Sequence, residues 1–297
     1  MNIKIASLIT LFMCLSINIL AQDDPDTTYW RKDFKVGLSF NQAAFSSNWT
    51  GGGVNSIGLN GLLNYKARYK KDKHSWDNEF DFAYGIVKNQ DQSSRKSIDR
   101  VYLDTKYGRE LNEKWNLFTS ANLLTQFANG FNYDVEFPNG EVRDSLISAI
   151  FAPAFLTVAW GFQYQPVDHF NVRFSPFAPR FTFVLDDELS DLGAYGVDPG
   201  DQVRSEWLAF QALADFDKDI AENLNLKWKY LLFINYENLS LDKWDHRLDL
   251  TLSAQVNKFL SVDLGAILIY DFDQVDELQI NQFFNLGLVY AAKNYEE

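Results

Sequence analysis

The sequence predicts an all-β protein: a transmembrane antiparallel up-and-down β-barrel of about 12 strands, with periplasmic termini and long extracellular loops. Three observations support this prediction: long runs of alternating apolar and polar residues, connections that alternate between short and long along the chain, and aromatic residues at strand ends. The clearest alternation lies between Arg247 and Tyr270. One arm carries Leu248, Leu250, Leu252, Ala254 and Val256, and after the turn 257–259 the other carries Val262, Leu264, Ala266, Leu268 and Tyr270. Each arm has about ten residues, the length that a tilted strand needs to cross a bilayer.

The same period of two divides the rest of the chain into strands. In the second strand, for example, Ile57, Leu59 and Leu63 alternate with Asn60 and Asn64. Besides the two arms of the hairpin, the predicted strands are 34–45, 55–69, 74–87, 97–109, 114–127, 150–165, 169–184, 204–217, 223–236 and 281–291. Pro176 and Pro179 cannot donate to a strand ladder, so we expect a kink or bulge in the seventh strand. The alternative, a soluble β-barrel or β-sandwich, rarely needs strands this long.

The connections between these strands alternate in length. The short ones are 70–73, 110–113, 166–168, 218–222 and 257–259, and the long ones are 46–54, 88–96, 128–148, 185–203, 237–243 and 271–279. Short turns on one side and long loops on the other are typical of bacterial outer-membrane barrels with an even number of strands. The pattern therefore predicts that both termini lie on the periplasmic side.

The positions of aromatic side chains along the predicted strands are those expected for two membrane interfaces. In the lipid-facing register, Tyr69, Trp76, Tyr107, Trp115 and Phe170 lie next to short turns, and Tyr84, Tyr236 and Tyr270 lie next to long loops. Aromatic residues collect at the two boundaries between lipid and water. This placement predicts one aromatic belt at each end of the barrel.

The chain begins with the features of a secretory signal. Lys4 precedes the apolar core 5–20, and the small Ala21 is followed by a polar segment. We therefore expect a signal peptide at 1–21, a short periplasmic leader at 22–33, the outer-membrane barrel at 34–291 and a short tail at 292–297. The single cysteine, Cys14, lies inside the signal, so the mature barrel would contain no disulfide.

Composition limits the partners of the chain. The net charge of −13 argues against nucleic acid, because a polyanion would be repelled. The partners we expect are outer-membrane lipid, the barrel-assembly machinery during biogenesis, and a small solute or an envelope protein. Gly287-Leu288-Val289-Tyr290 near the end of the last strand looks like the terminal signal that barrel-assembly machinery reads. We expect no cofactor and no resident metal.

Three segments resemble a family of Bacteroidota outer-membrane barrel proteins known as a domain of unknown function, of the 3078 type. The first combines Phe40-Asn41-Gln42 with 48–55, which contains Trp49, Gly51 and Gly52. The second is Phe174-Ser175-Pro176 with 181–184, and the third is 189–197, which contains Gly193, Tyr195 and Gly196. The resemblance implies an outer-membrane barrel in a Bacteroidota envelope, and it implies no activity.

The predicted lumen carries charges of both signs. They are Lys66, Arg68, Asp77, Glu79, Asp81, Arg100, Asp104, Lys106, Arg173, Lys227, Lys229, Asp249 and Asp263. Opposed charges can line a narrow selective channel, or they can pair and close it. Two functions remain open: a porin-like path for small polar solutes, and a non-conducting barrel that binds an envelope partner or ligand through its loops.

Catalytic signals are weak in this sequence. An acid–histidine site could be imagined from Asp242, Asp245 and His246, but a solvated polar loop is the simpler interpretation. The acidic residues of 185–203 could collect oxygen ligands for calcium, although their spacing fits no EF-hand. We therefore expect that the protein is not an enzyme, and we leave calcium binding by this loop open.

Overall fold

The computed structural model describes residues 29–46 and 54–294 of the chain. The expected signal peptide at 1–21, most of the leader, the motif residues Trp49, Gly51 and Gly52, and the end of the tail lie outside the described residues.

Within these described residues the regular structure comprises sixteen strands, one short helix, α1, and two 3-10 turns. The strands are β1 Trp30–Ala43, β2 Ser56–Lys71, β3 His74–Asn89, β4 Arg95–Glu110, β5 Trp115–Thr125, β6 Gly130–Glu136, β7 Val142–Ser148, β8 Ala154–Val167, β9 Phe170–Phe177, β10 Arg180–Phe183, β11 Val203–Glu206, β12 Ala209–Ala221, β13 Leu224–Asn235, β14 Asp245–Gln255, β15 Leu260–Asp271 and β16 Val275–Lys293. The helix α1 is Asp187–Asp191, and two 3-10 turns lie at Ala194–Gly196 and Leu241–Lys243.

Fourteen of these strands form one sheet, which closes because β8 pairs with both β5 and β9. Two pairs of segments, β9 with β10 and β11 with β12, are each one barrel strand broken in the middle. The closed antiparallel barrel therefore has 12 strands, as the alternation predicts. β1 pairs with β16, so the first and last strands complete the ring.

The opening hairpin of the sequence analysis is β14 and β15, and its register keeps the alternation on one face. Leu248 lies opposite Leu268, and Leu252 lies opposite Leu264. Residues such as Leu38, Phe284 and Leu288 on neighbouring strands are more than half exposed on the outer wall. This apolar outer band is the surface that a bilayer covers.

The short turns and both ends of the barrel chain lie on one side, because Trp30 pairs with Tyr69 beside the turn after β2 and Lys293 pairs with Asp33. One expectation about the loops was wrong. Residues 271–279 do not form a long loop: β16 already begins at Val275, and only 272–274 connect it to β15. Asp276 and Glu277 interrupt the alternation from which strands were predicted. A strand end that projects beyond the membrane contacts water on both faces, so neither face needs to be apolar.

The seventh and eighth predicted strands are interrupted. The seventh breaks at Ala178 and Pro179, between β9 and β10, where a kink was expected. The eighth breaks at Trp207 and Leu208, between β11 and β12. The predicted sixth strand begins later than expected, at Ala154, because 149–153 belong to the preceding loop.

The two longest loops are ordered and pack on each other above the barrel. The connection 126–153 contains the hairpin β6–β7, and 184–202 contains α1. Buried Ala149 and Ala152 from the first loop meet Val184, Leu189 and Val197 from the second. We call these two loops the loop cap. Among the described residues, no helix is long and apolar enough to cross a membrane.

Candidate functional site

The lumen is crossed by ion pairs that converge on Glu79 of β3. Lys229 of β13 lies 3.2 Å from this carboxylate, and Lys227 lies 3.9 Å from it. Lys66 of the neighbouring strand β2 lies 3.9 Å away. β3 and β13 are six strands apart in the ring of 12, so these contacts bridge opposite walls of the barrel.

Two further pairs join strands on opposite walls. Lys66 of β2 lies 3.9 Å from Asp217 of β12, and Arg100 of β4 lies 3.8 Å from Asp249 of β14. Arg247, two residues before Asp249 on the same strand, also holds that carboxylate with two hydrogen bonds of 2.8 Å. The Asp217 side chain is half exposed, whereas the other charges are largely shielded from solvent and depend on their partners for stabilisation.

A third group of pairs fills the β4 side of the lumen. Arg173 of β9 donates to Asp104 at 2.9 Å. Lys106 lies 2.8 Å from Asp77 and donates to the side-chain oxygen of Gln163 at 2.5 Å. Together with the contacts of Glu79 and Asp249, these pairs form a set of separate ion pairs within the lumen, which we call the ion-pair network.

Arg180 forms a separate contact at the long-loop end. It donates to Asp245 of β14 at 2.5 Å, and its guanidinium lies 3.3 Å from the centre of the buried Phe233 ring. Sequence reasoning missed Arg180. Strict alternation from Arg173 would turn residue 180 outward, but the break at Ala178 and Pro179 shifts the alternation by one residue and turns Arg180 inward.

A cavity of about 890 Å³ remains beside the ion-pair network. Strands from most of the ring contribute to its lining, which reaches from Lys35 near the short-turn end to Gln274 near the long loops. The lining includes neutral side chains such as Ser39 and charged side chains of the ion-pair network such as Lys229 and Asp249. The free space of the lumen therefore lies directly beside the charged side chains.

The structure brings most of the predicted lumen charges together, but three behave differently. Arg68 lies opposite Asp77 in the strand register, near the short-turn end. Asp81 and Asp263 line the cavity and take part in none of the ion pairs described above. The remaining predicted residues, Lys66, Asp77, Glu79, Arg100, Asp104, Lys106, Arg173, Lys227, Lys229 and Asp249, take part in the ion-pair network.

The second set of predicted residues, Gly193, Tyr195 and Gly196, builds a tight turn in the loop cap. All three have a positive φ, at 67°, 58° and 77°. A side chain at Gly196 would collide with Arg204, which bridges to Asp273 at 2.5 Å. The Tyr195 hydroxyl donates to the Ile147 carbonyl at 2.5 Å, so this turn ties the two loops of the cap together.

The acidic residues of the loop 185–203 have local structural contacts. Asp186 caps α1 by accepting from the Leu189 backbone N–H, and Asp187 accepts from Gln202 at 3.0 Å. Nowhere in 29–46 or 54–294 do three or more His, Cys, Asp or Glu side chains form a group that could hold a metal ion.

Asp245 and His246 lie on opposite faces of β14. Asp245 pairs with Arg180 inside the lumen, whereas the His246 Nδ1 lies 2.8 Å from the hydroxyl of Tyr230 on the outer wall. Asp242 contributes its backbone oxygen to a hydrogen bond from Tyr270. The acid–histidine arrangement imagined from the sequence is therefore not brought together.

Comparisons with solved structures find other β-barrels at low identity. An outer membrane channel from Pseudomonas putida F1 is 11% identical, with 90% of this chain and 96% of that chain covered and a TM-score of 0.40. The NanC porin is 10% identical, with 87% and 98% covered and a TM-score of 0.37. The translocator domain of the autotransporter NalP from Neisseria meningitidis is 9% identical, with 96% and 95% covered and a TM-score of 0.35. These TM-scores lie below 0.5, so the fold assignment rests on the strand pairing of this chain.

No curated protein matches the sequence. A family model described as "Protein of unknown function (DUF3078)" matches residues 40–131, which run from the end of β1 into β6. The match confirms a similarity to the DUF3078 family over residues 40–131, which include the first of the three resembling segments. The segments at 174–184 and 189–197 lie outside the match.

Proposed function

We propose that this protein is an outer-membrane channel that passes small polar solutes through the free space beside the ion pairs of its lumen. The supporting observation is the cavity of about 890 Å³, whose lining reaches from Lys35 near the short-turn end to Gln274 near the long loops. The ion-pair network fills part of the lumen and leaves the route narrow. Such a route admits small solutes and excludes large ones.

The proposal includes the route by which the protein reaches its membrane. A signal peptide at 1–21 would direct export, and barrel-assembly machinery would insert the barrel into the outer membrane. The exposed apolar outer wall, with residues such as Leu38 and Phe284, supports contact with membrane lipid. The proposed role is transport, with no catalytic step.

The test is conductance of the refolded barrel in planar bilayers, with a blocking variant and a matched control. Ser39 lines the cavity, whereas Leu59 on the neighbouring strand β2 is 44% exposed and is not among the lining residues. Ser39→Trp is expected to reduce the size of the conductance steps because the indole fills the route. Leu59→Trp places the same ring on the lipid side and is expected to leave the steps unchanged.

A second candidate function is a non-conducting barrel that acts through its loops. The observation that favours it is the set of ion pairs between opposite walls, such as Lys229–Glu79 and Arg100–Asp249. In the bilayer experiment, a folded wild-type barrel that gives no steps would reject the channel. The loop cap would then become the surface to search for an envelope partner.

A further inference from the structure

Asp263 differs from the carboxylates of the ion-pair network. It is 8% exposed, it lines the cavity, and its Oδ1 is buried with no hydrogen-bond partner. Among residues 29–46 and 54–294, no Lys, Arg or His forms an ion pair with Asp263, whereas Glu79 and Asp249 each contact two or more cations. A carboxylate is therefore placed at the wall of the cavity without a cation of the described residues at ion-pair distance.

The neighbours of Asp263 are neutral oxygen-bearing side chains. In the strand register it lies between Ser253 of β14 and Asn285 of β16. Ser261, two residues earlier on the same face, is also buried, and its hydroxyl has no hydrogen-bond partner. The side-chain oxygen of Asn285 faces the same cavity and accepts from Asn60 at 3.1 Å. Hydroxyl, amide and carboxylate oxygens are the ligands that hard cations prefer.

An unpaired carboxylate that is shielded from water is costly unless a counter-charge or a proton reaches it. We propose that Asp263, with Ser261 and Asn285, binds a small monovalent cation, an alkali-metal or ammonium ion, on the route through the lumen. The consequence is a route that prefers cations to anions. The selectivity rests on the proposed channel function, but the cation site itself requires only the cavity.

The composition of this site predicts weak binding and rapid exchange. One carboxylate and neutral oxygens supply less charge than the several carboxylates that typically hold calcium. A conducting route needs this balance, because an ion must be held well enough to enter and weakly enough to leave. Asp263 lies in the short-turn half of β15, so the ion would be held on the periplasmic side of Phe283, whose ring covers Gly265.

The binding test uses the full folded barrel in detergent and sodium chloride as the probe. Line broadening of the ²³Na NMR signal reports sodium that exchanges with a protein site. Asp263→Asn keeps the shape of the side chain and removes its charge, so the protein-dependent broadening is expected to fall. Asp168→Asn is the control, since it makes the same charge change in the exposed turn between β8 and β9. It is expected to retain the broadening of the wild type.

The selectivity test measures the reversal potential across a potassium chloride gradient in planar bilayers. Asp263→Asn is expected to lower the cation-to-anion permeability ratio by about fivefold, and Asp168→Asn to leave it unchanged. A silent barrel whose sodium broadening still depends on Asp263 would reject the channel and keep the cation site. A conducting barrel in which Asp263→Asn changes neither reading would overturn the cation site and keep the channel.

Discussion

Lys229 and Glu79 lie 3.2 Å apart although their strands, β13 and β3, are on opposite sides of the barrel. The lumen is therefore narrow enough at this level for a lysine and a glutamate from opposite walls to form an ion pair. Long side chains from both walls reach the centre, and the space that remains is a cavity beside them. The packing of these long side chains thus produces both the ion-pair network and the cavity.

Removing the shared carboxylate should destabilise the barrel. In Glu79→Gln, Lys66, Lys227 and Lys229 lose a common partner, and uncompensated charges shielded from water are expected to lower the free energy of unfolding by about 3 kcal/mol. Urea unfolding in lipid vesicles, followed by tryptophan fluorescence, measures this change. The control is Glu110→Gln, because Glu110 pairs at 3.8 Å with a largely exposed Lys70 and should contribute at most about 1 kcal/mol. Equal losses in the two variants would contradict a stabilising role for the network.

Phe283 should restrict conductance. Its ring lines the cavity and covers Gly265, so Phe283→Ala is expected to enlarge the steps seen in planar bilayers. The adjacent Phe284 is 61% exposed on the outer wall, which makes Phe284→Ala a matched control that removes the same ring outside the lumen. Steps of unchanged size in Phe283→Ala would place the route elsewhere.

Tyr195 should hold the loop cap together. Tyr195→Phe removes the hydrogen bond to the Ile147 carbonyl, which is worth about 1 kcal/mol, while the ring stays in its packing. Limited proteolysis of the folded barrel is expected to cut the two cap loops faster in this variant, with the transmembrane strands still protected. Tyr133→Phe is the comparison, since among the described contacts of Tyr133 none is a hydrogen bond from its hydroxyl. Identical cleavage rates would show that the hydroxyl is not needed for the cap.

The same residue predicts how the cap responds to alkaline pH. Burial raises the pKa of Tyr195 to about 12 from the ordinary value of 10.0. Between these values the closed cap keeps a proton that the opened cap has lost, so the free energy of opening the cap should fall as pH rises through this window. Proteolysis of the cap loops at a series of pH values with an alkali-tolerant protease measures the trend. Tyr195→Phe should lose this part of the pH dependence, and a variant that keeps it would assign the effect to another group.

Local patterns along the chain predicted the barrel well. The alternation around Leu248 and Leu268 predicted a hairpin, and β14 and β15 form it with the expected pairing. The prolines near Ala178 predicted the interruption of the seventh strand. These features depend on neighbours in sequence: side chains alternate across a strand, and proline cannot donate a backbone hydrogen bond.

The same local patterns did not predict the strand boundary where both faces of a strand contact water. The sequence predicted a loop at the start of β16 because Asp276 and Glu277 interrupt the alternation. This part of the strand nevertheless pairs with β15. The shift of alternation that turns Arg180 into the lumen also has no clear sign in the residues around it. Each of these features depends on the strand lying alongside.

Residue order alone was enough to predict the strands, the direction of their faces and a lumen with mixed charge. Which of those charges meet depends on closure of the ring, because Glu79 and Lys229 are 150 residues apart in sequence and become neighbours only when opposite walls face each other. The isolation of Asp263 arises in the same way: strand pairing surrounds it with Ser253 and Asn285 rather than with a cation. Alternation specifies which face a side chain takes, and only the closed barrel brings a partner to that face.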